Sequence, residues 1–85
     1  MKEVRIGVIS HYYTHLAVAA VVMEGELAVG DTIHIKGHTT DLTQKVESIQ
    51  LEHKNIERAM KGEDVGIKVN DHVREHDVVY KVIEE

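Results

Sequence analysis

Short runs of alternating apolar and polar residues constrain the fold of this 85-residue chain more than any other feature. The alternation occurs at residues 4–8, 32–36 and 65–70, where every second side chain is Val or Ile. A period of two places the apolar side chains on one face of a half-buried strand. The pattern therefore predicts β-strands over most of the chain.

Three further segments extend this prediction. The apolar run at residues 16–23 fits a buried helix or a central strand, and its valines together with the following Gly25 favour the strand. Residues 78–83 are typical of a closing strand. Within residues 42–51 the apolar positions change from even to odd, which predicts a bulged strand. The looser spacing after it predicts a short helical turn near residues 54–61.

Turn signals separate these segments. Leu27 is followed by Gly30 and Asp31 at the same spacing as Val73 is followed by His76 and Asp77. This pattern predicts an apolar anchor, a residue with positive φ, and a carboxylate that binds the turn backbone. We also expect turns or close backbone approach at Gly25, Gly37, Gly62 and Gly66. Together these signals predict an all-β fold, a small closed six-stranded β-barrel that forms a single domain over residues 1–85.

Composition excludes several classes of protein. The chain has no cysteine, which excludes a disulfide scaffold and a Cys-based zinc site. Its formal charge of −5 argues against a general polyanion binder, although protonating all 7 histidines would bring the charge to −5 + 7 = +2. The apolar runs are too short to span a bilayer, and no secretory signal pattern begins the chain. We therefore expect a cytoplasmic protein without a membrane partner.

The motifs for catalysis are missing. No G-x-x-x-x-G-K-[ST] phosphate loop occurs, so the sequence excludes GTP binding by this chain alone. His72, Glu75 and His76 spell H-x-x-E-H, but this zinc pattern requires a helix, and the segment lies between two predicted strands. Ser10 and His11 are neighbours on a strand, so their side chains point to opposite faces. We expect no enzyme activity, no metal and no cofactor.

Two segments are candidates for a contact surface. Tyr12, Tyr13 and His15 lie in the loop between the first two strands, where exposed rings could stack on bases or anchor a protein. Alternatively, one tyrosine plugs the end of the barrel and the other covers aliphatic surface. The second segment is a basic face formed by Lys54, Arg58 and Lys61, which equally fits the polar side of an amphipathic turn.

An ordered series of segments resembles the second domain of translational GTPases such as elongation factor Tu and initiation factor 2. The series runs through Met23 to Ile35 (MEGELAVGDTIHI), Gly37, Val46 to Ile49 (VESI) and Ala59 to Ile67 (AMKGEDVGI). The resemblance implies a β-barrel, and stand-alone elongation factor-like proteins of this type are known. Collagenase-like peptidases end in a similar small barrel.

The same resemblance implies a binding role for two residues. Gln50 stands where the elongation factor has an acidic residue in its pocket for the 3′ end of tRNA, and His53 stands where it has a basic one. One hypothesis is therefore a translation module that binds RNA, with the ribosome or tRNA as its partner. The alternative is a protein-binding accessory subunit of a separate enzyme, such as a collagenase-like peptidase or an RNA-modifying protein.

Overall fold

The computed structural model describes residues 2–84, and ten β-strands form the regular structure of this range. Within these residues there is no helix, so the prediction of an all-β protein is confirmed. Nothing in the same range is a helix long and apolar enough to cross a membrane. The strands are β1 (Lys2–Tyr13), β2 (Val18–Met23), β3 (Leu27–Ala28), β4 (Thr32–Lys36), β5 (Asp41–Lys45), β6 (Ile49–Leu51), β7 (Lys54–Ile56), β8 (Arg58–Ala59), β9 (Asp64–Lys68) and β10 (Val78–Ile83).

Eight of the strands form one antiparallel sheet in the order β5–β4–β10–β1–β2–β9–β6–β7. The other two, β3 and β8, pair with each other through Leu27 opposite Ala59. The outer strands β5 and β7 are not joined by a backbone ladder in the described part of the chain. The prediction of a closed six-stranded barrel is therefore wrong, because the sheet has eight strands and two free ends.

The side chain of Gln44 connects β5 to the end of β9, and we call the gap between these two unpaired strands the seam. Gln44 is only 7% exposed. Its Nε2 donates to the carbonyl of Lys68 at 2.9 Å, and its Oε1 accepts from the N–H of Asn70 at 2.7 Å. Two backbone groups are thereby satisfied without a neighbouring strand. A side-chain amide thus links β5 to the end of β9, two strands that no backbone ladder joins.

The core is aliphatic. Ile33 and Ile35 of β4, Ile49 of β6 and Ile67 of β9 are each at most 1% exposed, and Tyr12 packs against this cluster while remaining partly exposed. Burying a side chain of this size contributes roughly 1.5–3 kcal/mol to folding. The inward positions follow the alternation of the strands, as the sequence pattern predicts.

Three turns in the chain share one geometry. In each, the first residue is buried, and the carboxylate of the fifth accepts a hydrogen bond from the N–H of the second at 2.7–2.9 Å. The fourth residue has positive φ, at 98° for Gly30, 91° for Gly62 and 74° for His76. The shared sequence pattern identifies only the turns at residues 27–31 and 73–77, because the turn at residues 59–63 has Ala and Glu at its first and fifth positions. The three turns are residues 27–31, 59–63 and 73–77.

The parity change near Ser48 marks a gap between two strands, not a bulge within one strand. β5 ends before this residue, and β6 begins after it. The irregularities of register lie in β1 instead: against β10 between Arg5 and Gly7, and against β2 between Ile9 and His11. An added residue in each place bends β1, which pairs with both of these strands.

The helical turn predicted near residues 54–61 is also wrong. β7 pairs with β6 through Ile56 opposite Ile49, and β8 pairs with β3. Ile56 packs against the core and Ala59 is 0% exposed, whereas Met60 is 47% exposed. Two short strands with a break between them therefore produce an apolar spacing that resembles a helix.

Other glycines expected at turns lie where the backbone is in close contact. The N–H of Gly25 donates to the carbonyl of Ile6 at 3.2 Å, and that of Gly37 donates to the carbonyl of Thr40 at 2.9 Å. Gly66 lies within β9, not at a turn, and a Cβ there would be 3.1 Å from Cγ1 of Val18.

Candidate docking groove

A groove lies between the tips of two hairpins. One tip is the β1–β2 turn at residues 14–17, in which the N–H of Leu16 donates to the carbonyl of Tyr13 at 3.1 Å. The other is the β6–β7 turn, where Glu52 and His53 have φ values of 53° and 65°. The β1–β2 turn adjoins the Val18–Lys68 end of the β2–β9 pair, and the β6–β7 turn lies toward its Asp64 end. A cavity of about 350 Å³ is lined by residues of both turns.

The floor of the groove is made of small residues on adjacent strands. Ala20 of β2 is opposite Gly66 of β9, and Gly66 is also opposite Gln50 of β6. Cγ1 of Val18 lies 3.1 Å from the position that a Cβ on Gly66 would take, so this side chain covers part of the glycine. Ala20, Gly66 and Val18 therefore form the floor together.

One end of the groove is apolar and exposed. Leu16 is 66% exposed and Tyr13 is 47% exposed, and both line the cavity together with Val18. Tyr13 also contacts His11 edge to face, with ring centroids 4.5 Å apart. Exposed apolar side chains beside a concave surface are typical of interaction sites.

The other end of the groove is acidic. Glu52 and Asp64 both line the cavity. Glu52 stands in the β6–β7 turn, directly after the end of β6, and Asp64 begins β9, which pairs with β6. Among the described residues, no Lys or Arg lines this cavity, and His53 is the one basic residue in its lining.

The structure brings together three of the binding residues predicted from the sequence and separates the rest. Tyr13, Gln50 and His53 all line the groove. Tyr12 instead packs on the core side of β1, with its ring 4.7 Å from that of His72. His15 lies at the exposed tip of the β1–β2 turn.

The helical face predicted for three basic residues does not form. Lys54 lies in β7, Arg58 in β8 and Lys61 in the following turn, so these residues do not share the face of a helix. Arg58 forms an exposed ion pair with Glu26 at 3.6 Å. The prediction depended on helical spacing, and it fails because the segment forms strands.

Several residues of the groove were not predicted. Leu16 belongs to an apolar run that the sequence assigns to a strand, but the turn exposes it. Glu52 and Asp64 are 12 positions apart in the sequence, and only the register of β6 against β9 brings them together. The six lining residues that were not predicted are Leu16, Val18, Ala20, Glu52, Asp64 and Val65.

The H-x-x-E-H segment forms a loop and a turn between β9 and β10. His76 has a φ of 74° in the turn. A carboxylate oxygen of Glu75 lies 3.2 Å from Nδ1 of His11. The ring of His72 contacts Tyr12. The segment therefore has no helix on which the two histidines could converge.

Two polar contacts outside the groove shift pKa values. Hydrogen bonds to Asp41 and Glu3 raise the pKa of His34, whose two ring nitrogens lie 2.5 and 2.8 Å from these carboxylates. On the exposed surface, a hydrogen bond from Arg5 lowers the pKa of Glu24, and the same pair raises the pKa of Arg5. The His34 contacts link β4 to β1 and β5, the strands that hold the two carboxylates.

Comparison with known proteins gives similarity to peptidases. No protein-family model matches the chain. An uncharacterized protease of Methanocaldococcus jannaschii is 42% identical over 80 residues, which is 93% of this chain and 20% of that protein. A collagenase of Porphyromonas gingivalis is 39% identical over 82 residues, again 20% of its own length. The chain thus spans about a fifth of the length of the curated relatives it matches.

The same fold occurs in solved structures. The C-terminal domain of a putative U32 peptidase from Geobacillus thermoleovorans superposes with a TM-score of 0.87 at 21% identity, covering 93% of this chain and 92% of that domain. Its selenomethionine variant gives a TM-score of 0.85 at 20% identity, covering 89% and 96%. These similar proteins are named as proteases, collagenases and peptidases, so the assignment to translation and RNA binding is wrong, and none of them supports the ribosome or tRNA as a partner. The chain has the fold of a peptidase C-terminal domain, and its sequence is similar to one fifth of a protease and a collagenase.

Proposed function

We propose that this chain is a non-catalytic accessory module of a collagenase-like peptidase, folding as one domain over residues 1–85 and binding the peptidase portion as its partner. The observation that supports this most directly is the 42% identity over 93% of the chain to one fifth of an archaeal protease. The fold of a peptidase C-terminal domain points the same way. The remaining four fifths of such a protein would supply the catalytic machinery.

The contacts of the candidate nucleophiles favour a non-catalytic role. The hydroxyl of Ser10 donates to the carbonyl of Ala20 at 3.3 Å, while the neighbouring His11 is held by Glu75. The serine and histidine are therefore engaged with different partners. A nucleophile needs a base within hydrogen-bond reach, and these two side chains do not form such a pair.

The groove between the hairpin tips is the surface we assign to the peptidase. Its exposed apolar end, with Leu16 and Tyr13, fits an interface that is stabilised mainly by aliphatic and aromatic contact. Apolar contact is little affected by ionic screening, so the complex should persist at high salt.

The test is to mix this chain with a collagenase-like peptidase from which the segment matching the chain has been removed. We expect a 1:1 complex by size-exclusion chromatography with light scattering, at low salt and at about 1 M salt. The intact peptidase is the control, because its own segment should occupy the docking surface and compete. Absence of a complex at every salt concentration would contradict the proposal.

A pair of variants tests the assigned surface. Tyr13→Ala should weaken the complex, whereas Met60→Ala should not, although both side chains are 47% exposed. Met60 lies in the turn that follows β8, outside the groove. Equal affinities for the two variants would show that the peptidase binds elsewhere.

A further inference from the structure

The two carboxylates that line the acidic end of the groove have no counter-charge among the residues that line it. Among residues 2–84, neither Glu52 nor Asp64 forms an ion pair, while Arg5, Arg58 and Lys81 are paired with other carboxylates. Two carboxylates that line one cavity make its potential negative. A cationic group bound beside Glu52 and Asp64 would be attracted to both.

The apolar part of the groove begins one side-chain position along β9 from Asp64, at Gly66, which is opposite Ala20. Gly66 and Asp64 are two residues apart on one face of β9, which corresponds to about 6.6 Å along an extended chain. A ligand strand running along β9 repeats its side chains at the same interval on one face. An aliphatic side chain beside Val18 at the level of Gly66 would therefore be followed, two positions along, by a side chain near Asp64.

We propose that the groove binds an extended segment of the partner peptidase in which an aliphatic residue and a Lys or Arg stand two positions apart. The aliphatic side chain lies over Ala20 against Val18, Leu16 and Tyr13. The cationic group lies beside Glu52 and Asp64. This inference rests on the proposed function, since the segment belongs to the peptidase.

The chemistry of the site selects this occupant over others. The charged residues that line the cavity are two carboxylates and one histidine, so an anionic ligand would meet net repulsion. The flanking Lys54 and Lys68 do not line the cavity. A rim charge contributes more to selectivity than to total affinity, which agrees with a complex that is mainly apolar.

Short peptides and the isotope-labelled chain test the inference directly. The probe is acetyl-Gly-Leu-Ser-Lys-Gly-amide, titrated into the protein while the amide resonances are followed by NMR. We expect saturable shifts at Leu16, Gln50, His53 and Gly66. Replacing the Lys of the peptide by norleucine should weaken binding about fivefold, and replacing it by Glu should weaken it further.

A charge-neutral variant tests the role of the carboxylates. The double variant Glu52→Gln, Asp64→Asn should bind the Lys and norleucine peptides equally. The control Glu47→Gln, Glu57→Gln removes two exposed carboxylates outside the groove and should keep the preference for Lys. Equal binding of both peptides to the unaltered chain would overturn the inference.

The remaining outcomes separate the two proposals. A complex with the peptidase, combined with peptide shifts elsewhere or no saturable shift up to several millimolar peptide, would overturn the inference and leave the proposed function intact. Specific peptide binding without a peptidase complex would support the groove chemistry and contradict the proposed partner. Groove shifts that depend only on protein concentration would indicate a second copy of the chain as occupant and overturn the inference.

Discussion

Gly37 and Asp77 are in such close contact that a Cβ atom on residue 37 would lie 1.8 Å from Oδ1 of the aspartate. Asp77 is 5% exposed, and its other carboxylate oxygen accepts from the N–H of Arg74 at 2.9 Å. The turn before β5 thus rests on the carboxylate that organises the turn before β10. The tolerance for a side chain at residue 37 is set by this second turn, 40 residues away in the sequence.

Gly37→Ala should lower the free energy of unfolding by about 2–3 kcal/mol, because the added methyl group must displace a buried carboxylate. Urea unfolding measures the effect. Gly30→Ala is the control: it has a φ of 98° but no atom within 4 Å of the added Cβ, so it should cost about 1 kcal/mol. A smaller loss for Gly37→Ala than for Gly30→Ala would contradict the predicted clash.

Gln44→Leu should destabilise the fold by about 2 kcal/mol, because it leaves the carbonyl of Lys68 and the N–H of Asn70 without their partner. Gln50→Leu is a matched control, since that amide bonds only to the exposed side chain of Asn55 at 3.2 Å. Denaturant unfolding of both variants provides the comparison. Equal stabilities would show that the seam does not depend on Gln44.

His34 should make stability dependent on pH. Its pKa in the folded protein is raised, mainly by the hydrogen bond to Asp41 and then by that to Glu3. The stabilisation is therefore fully present below the unfolded pKa of about 6.5 and is lost as the pH rises through the higher folded pKa. The cost of His34→Asn should be larger at about pH 6 than at about pH 9.

The control for this prediction is His38→Asn. It removes an exposed histidine four residues away and changes the unfolded chain in the same way. Unfolding free energies at both pH values are compared for the two variants. A cost of His34→Asn that is constant with pH, or one that rises toward alkaline pH, would be incompatible with a charged ring between the two carboxylates.

His76→Gly should stabilise the protein. His76 is exposed, and its φ of 74° costs an L-residue about 1–2 kcal/mol, partly offset by the greater unfolded entropy of glycine. The expected rise in the thermal midpoint is about 2–6 °C for a domain of this size. His76→Val should instead lower the midpoint, and the same sign for both variants would exclude backbone strain as the cause.

Local patterns predicted the features that depend on neighbouring residues. The alternation at residues 32–36 and 65–69 identified the inward side chains of β4 and β9, because the side-chain direction in a strand is set by position alone. The spacing of Leu27 to Asp31 and of Val73 to Asp77 likewise identified two turns, since the carboxylate bonds to the backbone of its own turn.

Features that depend on distant residues could not be predicted in this way. The helix expected near Ile56 and Met60 fails because β7 and β8 pair with β6 and β3, and these partners lie elsewhere in the chain. Glu52 and Asp64 line one cavity because β6 pairs with β9, and neither residue gives a visible signal of that pairing in the sequence. The apolar run at Leu16 gave no sign of the turn that exposes it.

The amide of Gln44 also determines how the domain should respond to mechanical force. Tension applied across the seam meets two side-chain hydrogen bonds, so the β4–β5 hairpin can swing outward once those bonds rupture. Tension along the β1–β2 or β1–β10 pairs must instead shear a long series of backbone bonds together. We therefore expect less mechanical resistance across the seam than along those strand pairs, and Gln44→Leu should lower the rupture force across the seam alone.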